Sequence, residues 1–289
     1  MKAAPFDYFA PVTISEAVFL LSAHSQARPL AGGQSLVPMM ATRLARPDAL
    51  IDLNRIAELT LITEAEGELR IGSMVRQAAL LTSPRVAALV PLLTETLSNV
   101  GHPPTRARGT LGGSLANADP AAELPVAMLA LDAAMMLQGP QGVRRVEAAE
   151  FFVGMFETVL QDNELLVEIR IPAPTRGGSS FLEIARRKGD FAIVSVAARL
   201  WLDRAGYCDA ARIVVGGVGS VPVKCHPAEH ILRGRVPDDA AIADAVDGIP
   251  ADIVEQESHG AGRAYRQKVL RVLVRRALEI ARSRCEPMR

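Results

Sequence analysis

Residues 108–125 read RGTLGGSLANADPAAELP, which places two adjacent glycines between Thr-Leu and Ser-Leu. The residues after the glycines include Asn, Asp and Glu but no lysine or arginine. A glycine pair is typical of backbone that turns sharply or lets another group come very close. A single pair also fits an ordinary tight turn, so this stretch alone leaves both interpretations open.

A second glycine pair occurs in residues 29–40, PLAGGQSLVPMM, where Gly32 and Gly33 follow a short apolar segment that we expect to be a strand. In both stretches a serine follows the pair within two residues. Glycines allow consecutive backbone N–H groups to converge on an anion, and they carry no Cβ to keep a phosphate away. Two such loops meeting across a cleft predict a site for a diphosphate.

Neither glycine stretch matches the common phosphate-binding patterns. The lysine of GxxxxGKS/T is missing from both, which argues against a triphosphate with magnesium. The GxGxxG pattern of a Rossmann turn is missing as well. The sequence therefore favours a diphosphate site that is lined by uncharged backbone and lies outside those two folds.

Composition narrows the class of protein. The 289 residues are 49% apolar, which supplies a substantial core, and 32 basic residues balance 32 acidic ones. This balance gives no indication of a nucleic-acid or membrane-surface partner. We find no apolar run long enough for a membrane helix and no signal peptide, so we expect a cytoplasmic protein. Three cysteines without a CxxC motif predict neither a disulfide framework nor an iron–sulfur cluster in this chain.

The pattern of elements predicts an α+β chain of two domains. Strands and helices alternate in the first half, with a helix over 14–23, a buried strand at ALIDL and a hairpin within 59–73. Residues 171–180 contain two prolines and two glycines, which predicts a boundary there. We expect one domain over 1–173, with subdomains of about 1–57 and 58–173, and a second over 177–289. The second begins with three strands in a meander and ends with a long helix from about 258 to 284.

Four other patterns in the sequence suggest functional sites, but each has a simpler structural interpretation. Cys225, His226 and His230 suggest zinc, but a fourth ligand is missing and a capped helix with exposed histidines is the better interpretation. His102 next to a proline is more typical of a loop than of a general base. The segment 216–220, GGVGS, is better explained as a turn that ends a strand than as a third phosphate loop. Asp119 and Glu123 lack a partner for hydrolysis and fit the first turn of a helix.

Several motifs in order carry a resemblance to a known family. AGGQS at 31–35 and TLGGS at 110–114 resemble the two FAD diphosphate motifs of the xanthine dehydrogenase and carbon monoxide dehydrogenase family of molybdenum hydroxylases. FDYFAP, ALIDLNRI, VGHPPTRARGTLGGSLANADPAAELP, ELLVEIRIP and RRKGDFAIVSVAARL extend the resemblance over essentially the whole chain. The chain is identified as similar to the medium, FAD-binding subunit of that family.

The resemblance implies an FAD-binding domain of the vanillyl-alcohol-oxidase (PCMH) type with two subdomains. A C-terminal domain with a three-stranded antiparallel sheet and helices is implied to follow it. The implied partners are a small subunit with two [2Fe–2S] clusters and a large molybdenum-cofactor subunit, arranged as a dimer of heterotrimers. Electrons would pass from the clusters through FAD to an external acceptor, and this chain would have no catalytic residue of its own.

The resemblance also implies which residues contact FAD. Asn117 and Glu123 are implied at ribityl or ribose hydroxyls, and Val100 and Leu166 near the flavin or adenine. Phe191 is implied beside the isoalloxazine, where it gates access, and Lys188 is implied to approach the flavin. The full implied set is Ala31, Gly32, Gly33, Gln34, Ser35, Leu36, Val100, Thr110, Gly112, Gly113, Ser114, Asn117, Asp119, Glu123, Leu166, Lys188 and Phe191.

Two positions depart from the family pattern. Residues 106–109 read RARG where relatives commonly read RNRG, and Asn117 stands where many relatives carry His. Two alternative functions stay open at this point. One is a self-sufficient FAD-dependent oxidoreductase with its own substrate pocket, and the other is a non-catalytic assembly subunit.

Overall fold

The computed structural model describes residues 2–174, 177–255 and 261–285. The first part of the chain forms a parallel sheet of three strands in the order β1-β3-β2, flanked by helices. Its elements are β1 (Asp7–Phe9), α1 (Ile14–Ala23), β2 (Ala27–Leu30), α2 (Leu36–Ala41) and β3 (Ala49–Asp52). Thr13 caps α1, since its side chain accepts a hydrogen bond from the Glu16 N–H. Val18 and Leu21 of α1 share a core with Ile51 of β3, as the apolar spacing of residues 14–23 predicts.

Residues 62–172 form an antiparallel sheet of five strands in the order β4-β5-β10-β6-β7, covered by short helices. In chain order, the first elements of this part are β4 (Ile62–Ala65), β5 (Glu68–Gly72), α3 (Gln77–Leu81), α4 (Pro84–Leu89), α5 (Pro91–Leu97), α6 (Pro103–Arg108), α7 (Leu111–Asn117) and α8 (Glu123–Ala130). The remaining elements are β6 (Ala134–Gly139), β7 (Gly142–Glu147), α9 (Ala148–Phe151), β8 (Phe152–Gly154), β9 (Glu157–Thr158) and β10 (Leu165–Pro172). The predicted hairpin within 59–73 is present as β4 and β5.

The C-terminal part contains the predicted antiparallel meander, with one further short strand at its edge. Its elements are β11 (Gly178–Ile184), β12 (Val194–Leu202), β13 (Cys208–Gly216), β14 (Val223–Lys224), α10 (His226–Leu232), α11 (Asp239–Asp247) and α12 (Arg263–Ser283). The two-residue strand β14 was not expected, because so short a segment gives no alternating pattern. The predicted long helix is α12, and the part of its predicted start at 258–260 lies outside the described residues.

Both faces of the C-terminal sheet are buried, and its residues alternate between two cores. Ala197 and Val214 join the apolar cluster of the five-stranded part. Val196 and Ile213 join a second cluster with α12 on the other face. This alternation follows from the two-residue period of side chains along a strand. The division into two domains near residue 174 stays a prediction.

None of the helices in the described ranges is both long enough and apolar enough to cross a membrane.

Candidate functional site

The first glycine segment, residues 31–36, connects β2 to α2. Gly33 has a φ of 71°, a left-handed conformation that favours glycine. Within the described part of the chain, the backbone N–H groups of Gly33, Gln34 and Ser35 have no hydrogen-bond acceptor. This segment therefore offers three consecutive backbone donors, as the sequence predicts.

The second glycine segment, residues 110–114, differs from the predicted loop. Thr110 caps α7, and Gly112 and Gly113 lie in the first turn of that helix. The Leu111 N–H donates to the Val75 carbonyl at 3.1 Å and the Gly112 N–H donates to the Ser73 carbonyl at 2.9 Å.

The Gly113 N–H donates to the Thr110 hydroxyl oxygen at 3.0 Å. The expectation of a second loop with free, converging N–H groups is therefore wrong, because protein acceptors already occupy these donors. A Cβ on Gly112 would lie 2.4 Å from the Ser73 Cβ, so packing against the β5–α3 connection explains this glycine.

The structure brings the two glycine segments into direct contact. A Cβ on Gly32 would lie 2.3 Å from the Arg108 carbonyl oxygen and 2.9 Å from the Gly109 Cα. A Cβ on Gly113 would lie 3.3 Å from that of Ala31. The backbone of Gly32, inside the first predicted motif, thus approaches the residues just before the second motif, although 76 or more residues separate them along the chain.

A hydrogen-bonded pair, Asn54 and Arg76, links the two segments, and sequence reasoning missed it. The Asn54 Nδ2 donates to the Ala31 carbonyl at 3.1 Å. The Arg76 guanidinium donates to the Asn54 Oδ1 and to the Arg108 carbonyl oxygen. The residues before Arg76 carry no motif, and no spacing relates it to residue 108, so no signal in one sequence could have found this link.

Three carboxyl groups lie on the α8 side of the site and have raised pKa values. Glu123 begins α8 and is only 4% exposed, and burial raises its pKa to about 7. Burial also raises the pKa of Asp119, whose Oδ1 accepts the Ala121 N–H at 2.9 Å. Glu183 of β11 has a pKa of about 8, raised first by burial and then by the charge of Glu123. Asp119 precedes α8, so only Glu123 lies in the predicted first helical turn.

The other predicted contact residues are spread over three places. Leu36 begins α2 and is partly buried. Val100 and Leu166 are buried members of the core cluster of the five-stranded part. Lys188 and Phe191 lie between β11 and β12, and the Phe191 residue is 64% exposed.

The loop that holds Lys188 and Phe191 lies against His102. A Cβ on Gly189 would lie 2.5 Å from the His102 ring, which places this C-terminal loop beside the start of α6. That each of these residues contacts FAD stays a prediction.

Two alternative sites from the sequence have structural explanations. Cys225 is buried ahead of α10, and the His226 Nδ1 lies 3.0 Å from the Glu229 Oε2 in that helix. In the residues that the structure describes, no three His, Cys, Asp or Glu side chains come together as metal ligands. The Gly217 N–H donates to the Pro120 carbonyl at 3.2 Å directly after β13, so GGVGS ends a strand in a turn.

The fold and the site define a class of protein when they are compared with known families. Residues 4–174 match the family described as the FAD binding domain in molybdopterin dehydrogenase. Residues 179–281 match the C-terminal domain of the CO dehydrogenase flavoprotein. The chain belongs to the family of FAD-binding subunits of molybdopterin dehydrogenases.

Individual relatives cover nearly the whole chain. It is 41% identical to the 6-hydroxypseudooxynicotine dehydrogenase complex subunit alpha of Paenarthrobacter nicotinovorans, over 99% of this chain and 98% of the relative. It is 39% identical to the carbon monoxide dehydrogenase medium chain of Afipia carboxidovorans, over 97% of this chain and 98% of the relative.

A chain of the solved carbon monoxide dehydrogenase from Hydrogenophaga pseudoflava superposes with a TM-score of 0.95 at 37% identity, covering 99% of this chain and 100% of that one. The predicted family, fold class, oxidoreductase class and FAD cofactor are confirmed.

Proposed function

We propose that this chain is the electron-transfer subunit of a three-subunit molybdenum hydroxylase. It takes electrons from [2Fe–2S] clusters of a small subunit, which receives them from a large molybdenum-cofactor subunit, and delivers them to an external acceptor. Two such heterotrimers form the complex, and the complex works in the cytoplasm. FAD supplies the redox chemistry when bound, and the substrate is selected by another chain.

The observation that carries this proposal is the contact between the two glycine segments. The first segment offers three backbone donors that lack an acceptor in the described chain, at residues 33–35. Such donors suit the oxygens of a diphosphate, and they add no charge that would have to be desolvated. The second segment contributes Ser114, and Asn117 follows at the end of α7; neither side chain has a hydrogen-bond partner in the described ranges. We infer that backbone donors and short polar side chains hold the diphosphate between them.

The carboxyl groups next to α7 suit the neutral, hydroxyl-bearing part of the cofactor. A carboxylate accepts hydrogen bonds from a diol, and a protonated carboxyl also donates one. Glu123, with a pKa of about 7, exists in both forms near neutral pH. We infer that Asp119 and Glu123 orient the hydroxyl groups, and that the exposed Phe191 covers the ring from the solvent side.

Partner subunits are supported by the names of the relatives, which are subunits and medium chains of dehydrogenases.

The first test is an absorbance spectrum of the purified full chain, followed by acid release and chromatography of the cofactor. We expect flavin bands and one FAD per chain. A chain with native circular dichroism that stays colourless after soaking in FAD would contradict the proposal and leave an assembly role. Rapid flavin reduction by NAD(P)H or a small substrate in the isolated chain would instead favour a self-sufficient flavoenzyme.

A further inference from the structure

Arg76 and Asn54 connect the two glycine segments through three hydrogen bonds. Asn54 donates to the carbonyl of Ala31 in the first segment, at 3.1 Å. Arg76 donates to Asn54 and to the carbonyl of Arg108, just ahead of the second segment. A planar guanidinium holds two acceptors in a fixed mutual geometry, which a lysine ammonium does not. We call these two residues the clamp.

The carbonyl that Arg76 binds also limits the position of the first segment. Gly32 packs so closely on the Arg108 carbonyl oxygen that a Cβ there would lie 2.3 Å away. The oxygen therefore lies between the Arg76 guanidinium and the Gly32 backbone. A shift of this carbonyl would therefore move Gly32 and, with it, the backbone that carries the free N–H groups of residues 33–35.

Ordered elements hold both members of the clamp. The Asn54 N–H donates to the Asp52 Oδ1 at 2.9 Å, at the end of β3, and Asp52 pairs with Leu30 of β2. Arg76 forms an isolated β-bridge with Thr110. The N–H of the next residue, Gln77, donates to the Gly109 carbonyl at 2.9 Å. The clamp thus ties the parallel sheet of residues 7–52 to the connection that starts α7.

We propose that Arg76 and Asn54 are positioning residues for FAD, which fix the separation of the two glycine segments at the value that the diphosphate requires. This inference rests on the proposed function. The clamp acts on the diphosphate through the backbones of residues 31–33 and 108–110. Its loss therefore weakens binding of ligands that contain a diphosphate and leaves the remaining flavin contacts intact.

The test uses the full chain freed of flavin, with Arg76→Gln, Arg76→Lys, Asn54→Ala and the double variant of Arg76→Gln with Asn54→Ala. Flavin fluorescence measures the dissociation constants of FAD and of riboflavin, which has no diphosphate. Arg85→Gln is the matched control, because Arg85 lies in the same part of the chain and its ion pair among the described residues is with Glu64, at 3.2 Å. Thermal unfolding of each flavin-free variant measures stability separately.

We expect each single clamp variant to raise the FAD dissociation constant about tenfold, the scale of one hydrogen bond to a charged group. The riboflavin constant should change less than about twofold, and the two substitutions should not be additive, since they remove one connected unit. Arg76→Lys should behave like Arg76→Gln. If Arg76→Gln does not fold, Asn54→Ala and Arg76→Lys give the same comparison.

Three results would overturn the inference. Unchanged FAD affinity in the clamp variants contradicts it while the proposed function stands. Full affinity in Arg76→Lys means that charge, not geometry, contributes at this position. Equal loss for FAD and riboflavin, together with a lowered melting temperature, means a general structural role. A wild-type chain that binds no FAD would contradict the proposed function itself.

Discussion

The two glycine segments share a sequence pattern but differ in what their backbones do. In residues 31–36 the chain is a connection with a left-handed Gly33 and three N–H groups that lack an acceptor in the described part. In residues 110–114 the same pattern is the capped first turn of α7, and Leu111, Gly112 and Gly113 donate to protein acceptors. The comparison teaches that adjacent glycines record close approach of protein backbone in both segments, at Gly32 and at Gly112, while only the first segment keeps backbone donors that no protein acceptor occupies.

The largest effects are expected from substituting the glycine in each segment that packs against protein atoms, Gly112 and Gly32. Gly112→Ala places a Cβ 2.4 Å from the Ser73 Cβ, and the overpacking should cost about 1–3 kcal/mol of unfolding free energy. Gly32→Ala places a Cβ 2.3 Å from a carbonyl oxygen and should separate the segments, with at least about tenfold weaker FAD binding. Chemical denaturation and FAD titration measure the two effects. A Gly112→Ala chain with wild-type stability would show that packing does not explain that glycine.

A second prediction concerns the left-handed residue that only the first segment contains. Gly33→Ala should cost about 1–2 kcal/mol because Cβ crowds the backbone at positive φ, and the strain should also weaken FAD binding. Gly67→Ala is the control, since Gly67 has a φ of 74° and no neighbour within 4 Å of an added Cβ. We expect both variants to lose similar stability and only Gly33→Ala to lose affinity. Equal FAD affinities would remove the distinction between the two positions.

A third prediction uses Glu183, one of the three carboxyl groups with raised pKa values on the α8 side of the site. The pKa of Glu183 is raised from 4.5 to about 8, so the folded chain binds more protons than the unfolded chain between these values. The unfolding free energy of the flavin-free chain should therefore fall as the pH rises through this range. Glu183→Gln should flatten the dependence and raise the melting temperature at pH 8 by about 2–4 °C, with little change near pH 4. A melting temperature at pH 8 that Glu183→Gln leaves unchanged would contradict the raised pKa.

The smallest expected effect compares the serine that follows each glycine pair. If short hydroxyls contact the diphosphate on both sides, Ser35→Ala and Ser114→Ala should each raise the FAD dissociation constant by about threefold to tenfold. Ser98→Ala serves as the control, because the Ser98 hydroxyl donates to the Glu95 carbonyl at 2.7 Å, within α5 and its cap. Isothermal titration of the flavin-free chain gives the three constants. An effect at only one serine would assign the diphosphate mainly to that segment.

The sequence predicted the fold well where periodicity and order of motifs carry the information. Helix α1, the hairpin of β4 and β5 and the meander of β11 to β13 follow from apolar spacing and turn residues. Helix α7 was missed because glycines disfavour a helix interior, although here the Thr110 cap, the fit against Ser73 and the buried Leu111 and Leu115 stabilise one.

The sequence predicts the glycine segments of the candidate site but not the side chains that hold these segments together. Local patterns point to residues 31–36 and 110–114 as candidates, because phosphate binding requires small residues in a short stretch, and their contact with the diphosphate stays a prediction. The clamp joins Ala31, Asn54, Arg76 and Arg108, which lie far apart along the chain. Glu183 comes near Glu123 only because α8 packs against β12 and β13 of the C-terminal sheet. Such contacts depend on tertiary structure, and a single sequence has no period or spacing that records them.

The alternating burial of the C-terminal sheet has a consequence for whether the first part of the chain could stand alone. Ala197 and Val214 complete the core of the part that holds both glycine segments, so that core is unfinished in a chain that ends near residue 174. A shortened gene would keep every predicted diphosphate contact and still expose an apolar face to water. The part with both glycine segments therefore depends on the C-terminal sheet for a complete core, although that sheet contains neither diphosphate motif.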